Sequence, residues 1–188
     1  MSLEQFLLIV FRWIHFVAGI IWIGLLYFFN LVNVPYTKMA EPKDRPAHVP
    51  KLMPLALAWF RYAALVTVLA GFGLIYLLYW QGGDIVTSDR AKTIFSGMLL
   101  GLIMLFNVWT FIWPNQKKVI AATVKGEKAD PQWGRTALYA SRANFILSFP
   151  MLLFMGGASH VSMDWLGIII SGIIAAAIAT AVVLRVQR

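Results

Sequence analysis

Long apolar runs alternate with short polar connectors along the whole chain. Five of these runs reach about 20 residues or more, the length that an α-helix needs to cross a hydrocarbon core of about 30 Å. The runs are the segments 6–34, 55–80, 93–113, 136–159 and 165–184. The pattern therefore predicts an all-α integral membrane protein, a bundle of about five transmembrane helices.

The apolar pattern gives no sign of an internal repeat or of a boundary between two domains. We therefore expect residues 1–188 to form a single transmembrane helical domain. The first run is longer than the apolar core of a secretory signal peptide, and no basic segment precedes it. We expect this run to be retained as the first span.

Basic residues collect in alternate connectors, which predicts the orientation of the bundle. The connector between the second and third runs holds only Arg90 and Lys92. The other two long connectors and the carboxyl-terminal tail hold Lys38, Lys43, Arg45, Lys51, Lys117, Lys118, Lys125, Lys128, Arg135, Arg185 and Arg188. Because basic loops remain in the cytoplasm, the amino terminus is predicted to lie outside and the carboxyl terminus in the cytoplasm.

Composition agrees with a membrane protein and narrows the possible cofactors. The chain is 60% hydrophobic, whereas soluble domains contain about 45–50% apolar residues. Its net charge of +8 comes from the connectors, so it does not indicate a nucleic-acid partner. The chain has no cysteine, which excludes disulfides, Cys-ligated zinc, iron–sulfur clusters and covalently attached c-type haem. Any redox cofactor would have to be held non-covalently.

The two long basic connectors differ in their predicted structure. Connector 35–54 contains five prolines and is predicted to be extended, with His48 as a solvated loop residue. In connector 114–135, residues 115–125 mix apolar side chains with lysines. This second pattern predicts a short interfacial helix that ends at Gly126.

Ionisable residues inside a membrane span are costly, so they are candidates for function. Arg12, His15 and Gly19 lie on one face of the first predicted helix, and Gly156 and His160 lie four residues apart near the predicted outer end of the fourth. Two histidines at similar depth, each beside a small residue, predict a haem b site in which both imidazoles bind the iron. Arg12 would then pair with a haem propionate.

Other interpretations of these histidines remain open. A membrane histidine often forms only an interhelical hydrogen bond, and His160 could be hydrated in the loop before the last span. Met155 is an alternative axial ligand. Arg61 and Arg142 lie near predicted cytoplasmic ends, where their side chains could extend to the interface.

Uncharged polar residues in the spans are expected to join helices. Asn107, Asn144 and Ser148 are better suited to interhelical hydrogen bonds than to catalysis. No acidic residue lies inside a predicted span. This pattern argues against a proton-coupled transporter with a buried carboxylate and against a two-carboxylate hydrolase. Of the functional classes considered, redox chemistry is therefore the leading hypothesis.

Several segments resemble the membrane domain of the PuuD-type urate hydroxylases, also called the urate oxidase N-terminal family. The segment RWIHFVAGIIWIG, residues 12–24, is similar to the family's opening span. The second signature is a span that ends in Pro-Asn-Gln and a basic residue, followed by Gly-Glu and Asp-Pro. Its counterparts here are Asn107, residues 112–118, Gly126-Glu127 and Asp130-Pro131. Further matches are Asn144, Pro150, Ser159-His160, Trp59-Phe60 and Gly71-Phe72.

The resemblance implies a bacterial inner-membrane protein connected with urate oxidation in purine breakdown. Members of that family often carry a cytochrome c domain at the carboxyl end, whereas this chain lacks cysteine and has fewer spans. A c-type cytochrome partner would therefore be a separate chain. A looser resemblance, confined to the span of His15, is to HemJ-type protoporphyrinogen oxidases and copper-resistance membrane proteins.

These observations lead to three functional expectations. The first is a membrane redox subunit that binds haem b through His15 and His160 and exchanges electrons with a periplasmic cytochrome c. The second is the membrane component of a urate hydroxylase. The third is a cofactor-free structural subunit of a larger complex, and homo-oligomerisation would be compatible with any of the three.

Overall fold

The computed structural model describes residues 1–41, 45–80 and 87–187, without the side chains of residues 45–48 and 187. All regular secondary structure in these ranges is helical. The α-helices are α1 (Leu3–Tyr27), α2 (Val34–Met39), α3 (Arg45–Ile75), α4 (Asp89–Asn107), α5 (Trp113–Val124), α6 (Pro131–Gly157) and α7 (Trp165–Gln187). The side chain of His48, which was predicted to be solvated, lies outside the described part of the chain.

Three π-helical segments extend or join these helices. Phe28–Asn33 joins α1 to α2, Tyr76–Trp80 extends α3, and Val108–Ile112 joins α4 to α5. The result is a set of five continuous helices that are long and apolar enough to cross a membrane: Leu3–Met39, Val49–Trp80, Asp89–Val124, Pro131–Gly157 and Trp165–Val186. Each overlaps one predicted run, so the all-α prediction with five helices of membrane length is confirmed.

Local sequence signals account for where several helices begin and end. The Ser2 hydroxyl accepts from the Gln5 amide at 3.2 Å, and the Gln5 side chain accepts from the Ser2 amide at 3.0 Å, which forms a capping box. The Asp130 carboxylate caps α6 ahead of Pro131. Gly126 follows α5 with φ of 71°, a left-handed conformation that glycine adopts without steric cost.

The two connector predictions were partly wrong. Connector 35–54 is not extended, because α2 occupies its start and α3 begins at Arg45 and includes Pro50 and Pro54. Each of these prolines removes one backbone hydrogen bond, and their spacing of four residues confines both gaps to one helix face. Residues 115–124 are helical and the helix ends before Gly126 as predicted, but α5 continues the third long helix through its π-helical segment.

Helix α6 links the two halves of the bundle. Helix α1 packs along α3, while α6 contacts α4, α5 and α7 as well as α1. The main core lies between α1, α3, the α4–α5 helix and α6, and its most deeply buried large side chains include Trp22, Leu26, Phe60 and Met104. A smaller cluster around Phe145 joins α6 to α7.

Large apolar side chains also cover much of the outer surface. On α7, Ile173 is 64% exposed and Ile178 is 54% exposed, and Leu166 near its start is 64% exposed. A soluble protein rarely exposes apolar patches of this extent. The surface is therefore suited to a lipid environment, while the outward orientation of the amino terminus stays a prediction.

Candidate functional site

His15 is fixed against the backbone of α3. Its Nδ1 atom lies 2.8 Å from the carbonyl oxygen of Thr67. A carbonyl oxygen can only accept a hydrogen bond, so Nδ1 is the donor and carries a proton. In the neutral ring the other nitrogen, Nε2, then holds the free lone pair. The contact thus leaves one nitrogen of His15 able to bind a metal or accept a proton.

A glycine of α3 makes this close approach possible. A Cβ atom built on Gly71 would lie 3.1 Å from Cε1 and 3.2 Å from Nδ1 of His15, so a side chain there would displace the ring by a few tenths of an ångström. A Cβ on Gly19 would lie 3.7 Å from Cγ2 of Thr67, an ordinary contact distance. Gly19, predicted to make room for a macrocycle, thus lies beside the α3 residue that fixes His15.

The other residues of the predicted haem site lie elsewhere in α1, at the end of α6 and in the turn that follows it. Arg12 is exposed, one turn before His15. His160 is exposed in the turn beyond the end of α6, where its amide donates to the carbonyl of Gly157 at 2.8 Å. A Cβ on Gly156 would meet nothing within 4 Å. No hydrogen bond joins His15 to His160, and their shared ligation of a haem stays a prediction.

Two asparagines form a hydrogen-bonded pair between α4 and α6. The Asn107 amide donates to Oδ1 of Asn144 at 2.8 Å, and the Asn144 amide donates to the carbonyl of Met104 at 2.9 Å. Asn144 is completely buried. Because buried polar groups are costly when unpaired, this pair fixes the relative position of the two helices. The interhelical role predicted for both residues is confirmed.

Ser148 forms a second polar contact between helices. Its hydroxyl lies 2.7 Å from the carbonyl of Phe145 and 3.1 Å from the hydroxyl of Tyr27. The Tyr27 ring also packs on Phe145, with 5.0 Å between the ring centroids. Ser148 therefore connects α6 to the end of α1, as its predicted role in helix packing implied.

A small cavity with a mainly apolar lining adjoins the first π-helical segment, and no sequence pattern predicted it. It has room for about one water molecule and is lined by Asn30, Leu31, Val34, Arg142, Val183 and Val186. The Asn30 amide donates to the carbonyl of Leu26 and to the hydroxyl of Ser141, both at 2.9 Å. The amide of Asn30 within a long apolar run was the available signal, but its side-chain partner, Ser141, is 111 residues away in the sequence.

Comparison with known sequences identifies a family over the second half of the chain. A model of the family described as urate oxidase N-terminal matches residues 84–187, which is more than half of the sequence. The match confirms the suspected family resemblance and includes Asn107, Asn144 and His160 but not His15. No curated protein and no solved structure matches the chain.

Proposed function

This chain belongs to the urate oxidase N-terminal family, and on that basis we propose that it is the membrane component of a urate-oxidising system in the bacterial inner membrane. The family match over residues 84–187 is the observation that carries the proposal. Five helices of membrane length support an integral location. The hydrogen-bonded pair of Asn107 and Asn144 gives the matched region a defined helix packing.

The chemistry of urate hydroxylation requires an electron acceptor. Adding a hydroxyl group from water to urate forms one carbon–oxygen bond and releases two protons and two electrons. The chain has no cysteine with which to attach a c-type haem. We propose that a c-type cytochrome on the periplasmic side, whose haem lies outside residues 1–188, receives the electrons.

A second candidate function is haem b binding, and the environment of His15 favours it. Metal-binding histidines commonly donate a hydrogen bond from their other ring nitrogen to a carbonyl or carboxylate, as His15 does to Thr67. This contact orients the ring and leaves Nε2 for iron. His160 would supply the second nitrogen ligand, Arg12 would pair with a propionate, and Gly156 would provide room, whereas Gly19 already faces Thr67 of α3. A bound haem b would supply one-electron transfer between a donor and the cytochrome.

The urate proposal is tested in membranes from cells that contain or lack this chain. Addition of urate should reduce the c-type cytochromes, measured by their absorbance, only in membranes that contain the chain. Reduction by a different electron donor serves as the control for an intact cytochrome pool. Equal urate-dependent reduction in both membranes would reject the proposal.

Absorption spectra of the purified protein test the haem proposal separately. The native protein should give the spectrum of a low-spin b-type haem, and His15→Ala and His160→Ala should each remove or alter it. His48→Ala is the matched control, since it changes the third histidine of the chain without touching the proposed ligands. A colourless native protein would reject haem binding and would favour the cofactor-free structural subunit.

A further inference from the structure

Arg61 lies among aromatic rings contributed by two neighbouring helices. The central carbon of its guanidinium group is 3.8 Å from the centroid of the Trp113 ring, 4.5 Å from that of Tyr62 and 5.8 Å from that of Trp109. One terminal nitrogen, Nη2, donates to the Tyr62 hydroxyl at 2.9 Å. The cation is therefore held by cation–π contacts, the shortest of them to the indole ring of Trp113.

The positive charge of this cluster has no acidic partner in the described ranges. Arg61 hydrogen-bonds only to Tyr62 there, and its Nε atom is buried without a partner. A second cation lies close by, because Nζ of Lys117 is 5.8 Å from the centroid of the Trp113 ring. Two cations beside one indole ring, without a carboxylate, produce a local positive potential that an anion would neutralise.

The cluster lies at the depth of lipid headgroups. Arg61 precedes Trp80, the end of its continuous helix, by 19 residues, or about 28 Å at 1.5 Å per residue. Trp109 follows Asp89, the start of its helix, by 20 residues, or about 30 Å. Both distances are close to the thickness of a hydrocarbon core of about 30 Å. With Trp80 and Asp89 at the opposite boundary of the bilayer, both helices place the cluster at the depth of the headgroups.

The cluster is open on the outer surface of the bundle. Tyr62 is 51% exposed and Trp109 is 38% exposed, although both belong to membrane-length helices. Their rings meet edge to face, with centroids 6.2 Å apart. Aromatic rings at this depth pack against the glycerol and upper acyl region of lipids. The opening therefore faces the space that a phospholipid would occupy.

We propose that Arg61, Tyr62, Trp109, Trp113 and Lys117 form a binding site for an anionic phospholipid. The phosphate group would accept hydrogen bonds from the terminal guanidinium nitrogens of Arg61 and interact with the ammonium group of Lys117. The rings of Tyr62 and Trp109 would contact the glycerol and the first acyl carbons. A free phosphate ion could use the same donors, but the exposed rings and the headgroup depth favour a lipid.

Native mass spectrometry can test the site with phosphatidylglycerol and phosphatidylcholine as competing probes. Full-length protein from vesicles with equal amounts of the two lipids should retain phosphatidylglycerol preferentially. Arg61→Gln should reduce that retention about tenfold, since it removes a charged donor. Arg61→Lys should give an intermediate loss, because an ammonium group keeps the charge but not the planar fork. Arg142→Gln is the control, since Arg142 lies beside the cavity at Asn30 instead.

Lys117→Gln provides a second test that does not disturb the helix packing. Lys117 is exposed, so its substitution should preserve the fold and lower phosphatidylglycerol retention by a smaller factor than Arg61→Gln. Equal retention in the native protein and in both variants would overturn the proposal. Displacement of the lipid by millimolar inorganic phosphate would also overturn it, since the site would then take a free anion.

Discussion

His15 and Asn144 illustrate what single polar residues contribute inside an apolar bundle. Both were identifiable in the sequence because histidine and asparagine are conspicuous within long apolar runs. The acceptors of the hydrogen bonds that they donate were not identifiable, since Thr67 and Met104 accept through main-chain carbonyl groups. Every residue carries such a carbonyl, so only the packing of the helices selects the one that pairs.

The close contact between Gly71 and His15 leads to a prediction on stability. Gly71→Ala should lower the free energy of unfolding by about 1 kcal/mol, because the new methyl group would lie 3.1 to 3.2 Å from the histidine ring. Thermal unfolding in detergent measures the effect. Gly24→Ala is the control, since a Cβ there meets nothing within 4 Å and should leave the unfolding temperature unchanged or raise it. Equal shifts in both variants would refute the prediction.

The buried amide pair gives a second residue-level prediction. Asn144→Leu should cost about 1–2 kcal/mol, because it leaves the Asn107 amide without its acceptor inside the bundle. Unfolding of the single variants and of the Asn107→Leu, Asn144→Leu double variant would measure the coupling. The double variant should lose less stability than the sum of the single variants. Strict additivity would mean that the hydrogen bond contributes nothing.

At the scale of helices, the apolar runs predicted how many long helices exist better than they predicted where each helix begins and ends. Length and hydropathy located all five membrane-length helices, because any helix crossing lipid must satisfy its backbone internally and present apolar side chains. The same rules failed at connector 35–54, where prolines were expected to prevent helix formation. Pro50 and Pro54 are instead accommodated within α3, whose interior positions pack Met53, Ala56 and Leu57 into the core.

The end of α5 allows a prediction about one helix terminus. The amides of Gly126 and Glu127 donate to the carbonyls of Thr123 and Ala122, at 3.1 and 2.9 Å, while Gly126 has a positive φ. Gly126→Ala should therefore destabilise this end by about 1 kcal/mol. Hydrogen exchange at the Glu127 amide should accelerate. Gly134→Ala in α6, where φ is not positive and a Cβ meets nothing within 4 Å, should leave that exchange unchanged.

For the whole molecule, the sequence predicts an orientation that packing alone does not determine. A bundle of helices has the same internal contacts whichever way it is inserted, so the direction depends on the flanking charges. The absence of cysteine makes the chain convenient for labelling, since each introduced thiol is unique. Family membership was also identifiable from sequence, because the Pro-Asn-Gln segment and its flanking residues lie within the matched range.

Cysteine labelling tests the predicted orientation. In intact cells, an impermeant maleimide should label Arg90→Cys, which lies on the predicted outer side, but not Lys125→Cys, which lies on the predicted cytoplasmic side. After the cells are broken, both variants should react, which shows that both thiols are accessible. Labelling of Lys125→Cys alone in intact cells would reverse the predicted topology.

The π-helical segment Val108–Ile112 changes the phase of the third long helix. Buried positions fall at Met104, Val108 and Ile112, whereas Phe111 remains 39% exposed. If this segment were α-helical throughout, Phe111 would lie closer to the buried face that Ile112 occupies, because each residue turns an α-helix by about 100°. Deleting one residue here would rotate all that follows by one such step and carry Trp113 away from Arg61. A helical wheel drawn with about 100° per residue through this segment would therefore place exposed and buried residues on one face, although they lie on different faces in the protein.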